Sequence, residues 1–511
     1  ITHGRTVLIM KNKNVGHQIV SNYRPITCLP TIWKLLTSII TEYIYDHMGE
    51  QKGCKQNARG TKDQFLIDKL IMKTAKNRVV WIDYKKAYDS VPHSWIWKTL
   101  KMYGIANNII NFLELVMNIW KTDLTTQSHS LGTVNFLQGI FQSDSLSPML
   151  FIICLLPLTT LLKKSGLGFT IHNVTISHLL YMDDLKLYAK SDKDILALTK
   201  IVKTFSNDIC MWFGLDKCAI VTINRGQVLR GDSLKLPPDE VIDPLPLKES
   251  YKYLGILEHG SINNIDVKKK ATMEYKKRLR QFLKSKLSGS NLLQAINTYT
   301  IPVMSYIAGI VDWTLDEMKQ LDRMTRRQLT IHGALHPKDV DRLYVPRRKG
   351  GRGLKSIDDL VFKEWCALSE YLKHSTTLAL KLVSKEKIVV KGMRENQTDH
   401  EDHFMKWEAK ALHGKWAKLL KIVDEDYSKW LRTAHLKPPT EALIIAAQDQ
   451  ALHTNWLGHY ILKTGETTDK CRRCKKFAET VMHIVSGCPM LGHERHNQVA
   501  NALYWDFCGQ Y

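Results

Sequence analysis

Two carboxylate-bearing segments, about a hundred residues apart, constrain this chain more than any other feature of its sequence. The apolar run at residues 79–82 predicts a buried strand that ends in Asp83. Farther along, the segment TISHLLYMDDLKLYAKSD predicts two short strands joined by a tight hairpin turn, with Asp183 and Asp184 at its tip. Taken singly, the first acid could be an ordinary turn former and the acidic pair a solvated loop.

Taken together, the two segments predict a metal site. Adjacent carboxylates repel each other unless a cation lies between them. Phosphoryl transfer needs two divalent ions about 4 Å apart, which activate the attacking hydroxyl and stabilise the leaving group. Asp83 and Asp183 on neighbouring strands could hold such a pair of ions.

The net charge indicates a polyanionic partner. The 511 residues include 73 Lys and Arg against 50 Asp and Glu, giving a formal charge of +23 and a pI near 9.4. Such a surface attracts nucleic acids, and the binding is expected to weaken steeply as salt rises. The alternative is a basic protein with no nucleic-acid partner.

Composition also excludes several classes of protein. Hydrophobic residues make up 44% and charged residues 24% of the chain, which is typical of a globular protein rather than a disordered or membrane-embedded one. The 10 cysteines are mostly scattered and predict a reducing compartment without a disulfide framework. The longest apolar run, residues 149–162, is interrupted by Pro157 and predicts a buried helix, so no membrane partner is expected.

The length predicts two to four domains. Residues 1–224 mix short apolar runs with helical stretches, which indicates an α+β region. Residues 226–246 are rich in proline and predict an exposed connection. Residues 267–391 have a helical and very basic pattern, and the rest adds a tryptophan-rich helical stretch and then a Cys/His cluster.

Seven motifs follow one another in an order that resembles reverse transcriptases, and within them the non-LTR retrotransposon class. They span about 235 residues and read NYRPI, QKGCKQNARGTKDQ, IDYKKAYDSVPH, QSDSLSP, YMDD, GLDKC and YKYLG. The resemblance implies an RNA-directed DNA polymerase with an α+β right-hand fold. Its fingers and palm would occupy residues 1–260, a helical thumb residues 261–390 and a helical linker residues 391–465.

The resemblance also implies roles for individual residues. Asp83 and Asp183 match the carboxylates that bind two Mg²⁺ ions, with Mn²⁺ as a substitute, and Asp184 matches the supporting carboxylate. Lys217 matches the lysine that protonates pyrophosphate, and Tyr88 matches the bulky residue that excludes a 2′-hydroxyl. The other matches are Arg24, Arg59, Gln142 and Ser143 for nucleotide and template, and Tyr253, Leu254 and Gly255 for the primer end. Without the motifs, the basic residues would be surface charges and Tyr88 a core aromatic.

One residue departs from the family pattern, which is Gln-Gly-Asp-x-Leu-Ser-Pro. Ser143 stands where the family carries glycine. If the backbone has a positive φ there, serine adds strain of about 1–2 kcal/mol, and its side chain also crowds the ligand. The chain is therefore expected to be either an active polymerase or a catalytically impaired, nucleic-acid-binding remnant.

Near the carboxyl end, Cys471, Cys474, His483 and Cys488 form a C-x2-C-x8-H-x4-C pattern. These three thiols and one imidazole complete a tetrahedral set, which predicts structural Zn²⁺ with no open position, and coincidental free cysteines are the alternative. The pattern resembles the CCHC knuckle of site-specific non-LTR elements that carry a restriction-enzyme-like endonuclease, and it places the knuckle at residues 466–492. Residues 493–511 resemble the first helix of that endonuclease, so we expect a fragment of a longer product, which stops just inside that domain.

The leading hypothesis is extension of a nicked DNA primer along the element's own RNA, with deoxynucleoside triphosphates as substrates. A splicing maturase of the group-II-intron type is a third hypothesis, and the knuckle after the thumb argues against it. The resemblance implies an intracellular protein that works in the nucleus, with a cytoplasmic ribonucleoprotein stage.

Overall fold

The chain divides into two units. Unit 1 comprises Ile1–Val267 and Ser369–Lys391, and unit 2 comprises Lys268–Leu368 and Gly392–Tyr511. The structure is a computed structural model, and it describes residues 3–11, 18–19, 22–45, 58–74, 76–126, 129–335, 340–386, 388, 403–423, 428–463, 465 and 468–510.

All the named strands of the described residues lie in unit 1. They are β1 His3–Met10, β2 Tyr23–Cys28, β3 Lys76–Ile82, β4 Lys121–Thr126, β5 His129–Asn135, β6 Phe169–Ile171, β7 Val174–Ile176, β8 His178–Tyr181, β9 Asp184–Ala189, β10 Ala219–Asn224, β11 Gln227–Leu229, β12 Leu234–Leu236, β13 Glu240–Ile242, β14 Tyr251–Tyr253 and β15 Ile256–Glu258.

Helices occur in both units. They are α1 Thr31–Tyr45, α2 Thr61–Thr74, α3 Ala87–Ser90, α4 His93–Met102, α5 Asn107–Met117, α6 Ser147–Lys164, α7 Asp192–Asp208, α8 Asn264–Leu283, α9 Gly289–Ala295, α10 Pro302–Ile307, α11 Leu315–Ile331, α12 Asp341–Tyr344, α13 Ile357–His374, α14 Leu378–Lys385, α15 His403–Glu408, α16 Lys415–Leu420, α17 Trp430–Thr433, α18 Pro438–Gln448 and α19 Pro489–Gln510.

Two sheets organise unit 1. A five-stranded antiparallel sheet has the order β11-β10-β3-β9-β8, and a four-stranded sheet has the order β2-β1-β4-β5, in which β1 and β4 run parallel. The pairs β6–β7, β12–β13 and β14–β15 form separate two-stranded sheets. With helices packed around these sheets, the predicted α+β class is confirmed.

The core of unit 1 forms between the five-stranded sheet and its helices. Leu185, Leu187 and Ala189 alternate along β9 and join the main hydrophobic cluster, because successive side chains of a strand point to opposite faces. The intervening Lys186 and Tyr188 are also buried, but they lie outside that cluster. Strand β9 is therefore covered on both faces.

Helix α6 is the central helix of this core. By length and apolar composition alone it could cross a membrane, yet 61% of its residues are buried inside the protein. Its first turn contains Pro148, where a missing backbone N–H costs nothing, and Pro157 lies in its interior. The run at residues 149–162 is a buried helix, as the sequence predicts.

The prediction of an exposed connection at residues 226–246 holds for most of its residues, but it missed three short strands and three buried residues. This segment contains β11, β12 and β13, and Leu234, Leu236 and Ile242 of the last two strands are buried in the main cluster. Proline marks turns in sequence, but these short strands alternate buried and exposed residues around the turns.

The described part of unit 2 is helical, and small groups of buried residues lie between its helices. Helix α11 begins with a capping box, in which Thr314 and Glu317 each bond the other's backbone N–H. A small cluster of Val345, Trp407 and Ala417 joins the segments around α12, α15 and α16. Trp407 is fully buried, so it is a core residue and not a base-stacking surface.

Candidate active site and metal centre

Asp83 lies immediately after β3, where the backbone leaves the central sheet. Its carbonyl oxygen accepts a hydrogen bond of 2.8 Å from the backbone N–H of Gly214. A Cβ on Gly214 would lie 3.1 Å from Asp83 Oδ2, so the absence of a side chain there leaves room for the carboxylate. The strand end and the loop at residue 214 thus fix the position of this acid.

The hairpin of β8 and β9 brings the other two acids next to this strand end. Tyr181 pairs with Asp184, so Met182 and Asp183 form a two-residue turn, and Met182 has a φ of 53°. Ile82 pairs with Leu185 across β3 and β9, and continuing this register sets Asp83 beside Asp184. Three acids distant in sequence therefore converge at one edge of the sheet.

The electrostatics of this edge favour a bound cation. Burial, followed by the charges of Asp183 and Asp83, raises the pKa of Asp184 to about 7. Burial and the charge of Asp83 also raise the pKa of Asp183. The Nζ of Lys217 lies 3.1 Å from Asp83 Oδ2, and this hydrogen bond raises the pKa of Lys217. Arg24 and Lys252 also lower the pKa values of Asp183 and Asp184, respectively, but burial and the neighbouring carboxylates outweigh them.

A cleft of about 810 Å³ opens in front of these groups. The predicted site residues that line it are Asp83, Asp183, Lys217, Arg24, Tyr88, Gln142 and Ser143. Arg24 is near enough to lower the pKa of Asp183, although burial outweighs its effect. The four-stranded sheet, the segment that leads into α6 and the five-stranded sheet thus all contribute residues to one cavity.

Arg59 is not among the described residues that line the cleft. Its guanidinium carbon lies 5.8 Å from the centre of the Tyr371 ring. The adjacent Gly60 has a φ of 61°, and a Cβ there would lie 3.6 Å from the Tyr181 ring. Arg59 therefore lies beside the β8–β9 hairpin rather than against the cleft.

The Tyr88 ring is held from two sides. It stacks on Phe151 of α6 with ring centres 4.6 Å apart and planes 11° apart. Its hydroxyl lies 3.9 Å from the sulfur of Met182 in the hairpin turn. This ring forms a rigid wall of the cleft close to the acids.

Ser143 adopts a φ of 98°, in the region that favours glycine. The preceding carbonyl, of Gln142, accepts a bond of 3.1 Å from the backbone N–H of Thr27 in β2. The following residue, Asp144, is buried and accepts a bond of 2.9 Å from the Thr37 hydroxyl of α1. Contacts on both sides therefore hold this strained backbone, and Asp144 is a site residue that the sequence interpretation missed although it lies within a motif.

Tyr253, Leu254 and Gly255 form the tip of the β14–β15 hairpin. Leu254 and Gly255 both have positive φ values, 45° and 83°, as a two-residue hairpin turn of the primed type requires. Gly255 is exposed and Leu254 half-buried, but the Tyr253 ring is 1% exposed and faces inwards. Of the three, only the turn residues are accessible to a ligand.

The four predicted zinc ligands of unit 2 converge. One donor atom from each of Cys471, Cys474, His483 and Cys488 lies within 4.8 Å of the others. The backbone N–H groups of Phe477 and then Lys476 hold the pKa of the Cys474 thiol down to about 6. Such a set can bind a tetrahedral ion, whose thiolate ligands stand about 3.8 Å apart at a Zn–S distance of about 2.3 Å.

Comparison with known proteins agrees with this geometry. Residues 9–257 match the family described as reverse transcriptase (RNA-dependent DNA polymerase). The Retrovirus-related Pol polyprotein from type-1 retrotransposable element R2 of Popillia japonica is 24% identical in an alignment of 455 positions, which covers 82% of this chain and 71% of that protein. The Pol polyprotein from type-2 element R2DM of Drosophila melanogaster is 24% identical over 69% of this chain, which spans only 34% of that protein.

A solved structure of apo telomerase from Candida tropicalis was also matched, with a TM-score of 0.40 and 9% identity over 76% of this chain and 69% of that one. The predicted RNA-directed DNA polymerase function and the right-hand fold are confirmed at the level of the family. Residues 9–257 form a reverse transcriptase domain, and the chain is similar to the Pol polyproteins of R2 non-LTR retrotransposons.

Proposed function

We propose that the cleft of unit 1 extends a DNA primer along an RNA template by nucleotidyl transfer, with Asp83 and Asp183 as the ligands of two Mg²⁺ ions. Asp184 supports them, and Mn²⁺ can take the place of Mg²⁺. The observation that carries the proposal is the convergence of these acids beside a cleft that is also lined by Arg24 and Lys217. Because its primer is chromosomal DNA, such an enzyme works in the nucleus after a cytoplasmic ribonucleoprotein stage.

The donor set fits hard divalent cations. Carboxylate oxygens are the ligands that Mg²⁺ prefers. Burial, and after it the repulsion between the acids, raises the pKa values of Asp183 and Asp184, and a bound cation relieves that repulsion. When bound, the ions lower the pKa of the primer 3′-hydroxyl and neutralise charge on the leaving pyrophosphate. The protein supplies rigid positions for the acids, at the end of β3 and in the β8–β9 turn.

The other residues of the cleft take separate tasks in this proposal. The Tyr88 ring excludes a 2′-hydroxyl, so that deoxynucleoside triphosphates are the substrates. Arg24 binds phosphate, and Gln142 contacts the incoming nucleotide. Lys217 gives a proton to pyrophosphate, and the Leu254–Gly255 turn contacts the primer end through its backbone. Arg59 is assigned to the template strand near the β8–β9 hairpin rather than to the triphosphate.

We also propose that Cys471, Cys474, His483 and Cys488 bind one structural Zn²⁺. Three thiols and one imidazole complete a tetrahedral shell without a free position, so the ion has no catalytic role. Residues 466–492 then form the knuckle. Of the proposed thumb of residues 261–390, residues 268–368 lie in unit 2 and the rest in unit 1, and the proposed linker of residues 391–465 lies in unit 2 from residue 392 onwards.

A second candidate function is nucleic-acid binding by a catalytically impaired remnant. The φ of 98° at Ser143 favours it, because serine there is strained and its side chain enters the cleft. The cleft and the knuckle would persist in such a protein.

Primer extension on an RNA template with Mg²⁺ tests both functions, with the wild type, Ser143→Gly and Asp183→Ala compared side by side. Extension by the first two but not by Asp183→Ala is the result expected for the polymerase. Extension by Ser143→Gly alone assigns the wild type to the remnant. Extension by Asp183→Ala at the wild-type rate overturns the metal site.

A further inference from the structure

The face of β9 opposite the main core carries a buried lysine. Asp184 and Lys186 are two residues apart in the strand, so their side chains point to the same side of the sheet. Lys186 is completely buried, whereas lysine is almost never fully buried unless it is paired.

Two carboxylates from different elements meet this ammonium. Lys186 Nζ lies 2.7 Å from Oδ1 of Asp68 in α2 and 2.6 Å from Oε2 of Glu258 in β15. Both acids are at most 1% exposed. The Tyr188 hydroxyl donates a further bond of 2.6 Å to Asp68. The cluster therefore links the catalytic strand, an amino-terminal helix and the β14–β15 hairpin.

Aromatic rings enclose the same ammonium. The centres of the Trp81 and Tyr253 rings lie 4.9 Å and 5.0 Å from Lys186 Nζ, and that of Tyr188 lies 5.8 Å away. Trp81 is paired directly with Lys186 across β3 and β9, and it stacks on Tyr251 of β14 with ring centres 4.7 Å apart. The cation thus lies between the central sheet and the hairpin.

The hairpin has no backbone ladder to the central sheet. Strands β14 and β15 pair only with each other within the sheets of the described residues. A backbone ladder would fix the register of two strands, so the register of this hairpin against β9 depends on side chains. Lys186, bonded to Glu258 and packed on Tyr253, is the charged part of that contact.

Packing alone does not require these charges. Apolar residues of similar volume usually replace a buried ion pair without loss of stability. Here two buried carboxylates share one ammonium, and burial, followed by the charge of Asp68, raises the pKa of Glu258 to about 8. Directional contacts of this kind are better explained by a need for one defined register than by stability.

We propose that Lys186 is a positioning residue, which through Glu258 holds the turn at Leu254 and Gly255 in register with the strand that carries Asp184. This inference rests on the proposed function, in which that turn contacts the primer end. Loss of the link leaves the acids intact but displaces the primer 3′ end relative to them.

Single-turnover nucleotide addition tests this role, with Lys186→Met, Glu258→Gln and the double variant in the full chain. The rate constant of addition per active site, at saturating nucleotide, is expected to fall about 10- to 100-fold in Lys186→Met, because displacement of reacting groups by about 1 Å has effects of that size. Glu258→Gln keeps an acceptor for the ammonium and is expected to lose about 3- to 10-fold. The double variant should be no slower than Lys186→Met, since both substitutions break the same link.

Lys203→Met is the matched control. Lys203 Nζ lies 2.6 Å from Oε2 of Glu240, so this variant also breaks a lysine–glutamate pair of unit 1, but one between α7 and β13. Its rate constant per active site should equal that of the wild type. The positioning role is wrong if Lys186→Met and Glu258→Gln lower only the melting temperature or the fraction of active sites. It is also wrong if the double variant lowers the rate constant by the product of the two single effects.

Two further comparisons cover a variant that does not fold and a failure of the proposed function. If Lys186→Met does not fold, Glu258→Gln alone decides, because it conserves shape: an unchanged rate constant overturns the proposal. Asp83→Asn is included as a test of the proposed function itself. If Asp83→Asn adds nucleotides at the wild-type rate, the metal site is refuted. If Asp83→Asn loses this activity while Lys186→Met and Glu258→Gln keep the wild-type rate constant, only the role of Lys186 is refuted.

Discussion

Lys217 and Asp83 form an ion pair across two loops of the central sheet, with 3.1 Å between Nζ and Oδ2. Both groups line the cleft. The pair connects the turn that follows α7 to the end of β3, and the backbone bond from Gly214 to the Asp83 carbonyl reinforces the same connection. Lys217 therefore holds its proton beside the acids that are proposed to bind metal.

Replacement of Lys217 by glutamine should slow nucleotide addition about 10- to 100-fold, because a positioned proton donor contributes at least that much. Lys217→Arg keeps the charge and should retain more of the rate. In the metal-free protein the hydrogen bond to Asp83 raises the pKa of Lys217, so the wild type should keep this proton, and its rate, throughout the neutral pH range. The pH–rate profile of single-turnover addition measures both effects, and identical profiles for wild type and Lys217→Gln would exclude proton donation.

Ser143→Gly should stabilise unit 1 by about 1 kcal/mol, because glycine adopts a positive φ without the steric cost that serine bears. It should also raise the rate of extension. Denaturant unfolding measures the first effect and primer extension the second. Ser145→Gly is the control, since Ser145 is exposed and has no positive φ. Equal destabilisation by both substitutions would show that Ser143 is not strained.

Tyr88→Ala should raise incorporation of ribonucleotides relative to deoxynucleotides by about 100-fold, because the ring that meets the 2′-hydroxyl is removed. Tyr88→Phe retains the ring stacked on Phe151 and should keep the wild-type preference. The ratio of addition efficiencies for the two nucleotide types is the measurement. A preference unchanged by Tyr88→Ala would assign the selection to another residue.

Cys474→Ser should release the proposed zinc ion and unfold the knuckle, since the binding free energy of a structural zinc ion is also folding free energy. Metal analysis should find about one equivalent of zinc in the wild type and much less in this variant. Cys366→Ser is the matched control, because Cys366 is an exposed free cysteine of unit 2. Zinc retained at the wild-type level in Cys474→Ser would contradict the site.

His403 should stabilise unit 2 in a pH-dependent way. Burial opposes its charge, but bonds to Asp341 and Asp359, at 3.4 Å and 3.1 Å, outweigh burial and raise the pKa of His403 to about 9. Because the folded-state pKa is raised, the stabilisation is fully present below the unfolded pKa of about 6.5 and is lost as pH rises through about 9.

His403→Gln should therefore cost about 1–3 kcal/mol at pH 6 and much less at pH 10. Urea unfolding at the two pH values measures the difference. His129→Gln, at an exposed position of β5, should cost little at either pH. A cost for His403→Gln that does not change with pH would mean that only packing is lost.

Much of the candidate site follows from short-range sequence patterns. A buried apolar run before Asp83, an acidic hairpin turn and the Cys/His spacing each depend on residues close together in the chain. Strand periodicity and turn chemistry act over the same distances, so the ends of β3 and the β8–β9 turn lie where the patterns predict. The order of the motifs also indicates the reverse transcriptase family, which the comparison with known proteins confirms for residues 9–257.

Tertiary contacts decided the rest. Lys186 looks like a solvent-facing polar residue in its strand, and only its partners Asp68 and Glu258, 118 and 72 residues away, make it a buried cation. Tyr253 faces inwards because its ring packs against Lys186. Residues 226–246 form strands because Leu234 and Leu236 pack into the main hydrophobic cluster. Sequence alone determined which residues could carry the chemistry, whereas packing between distant segments determined which of them face the cleft, because burial is a property of the whole fold rather than of a local pattern.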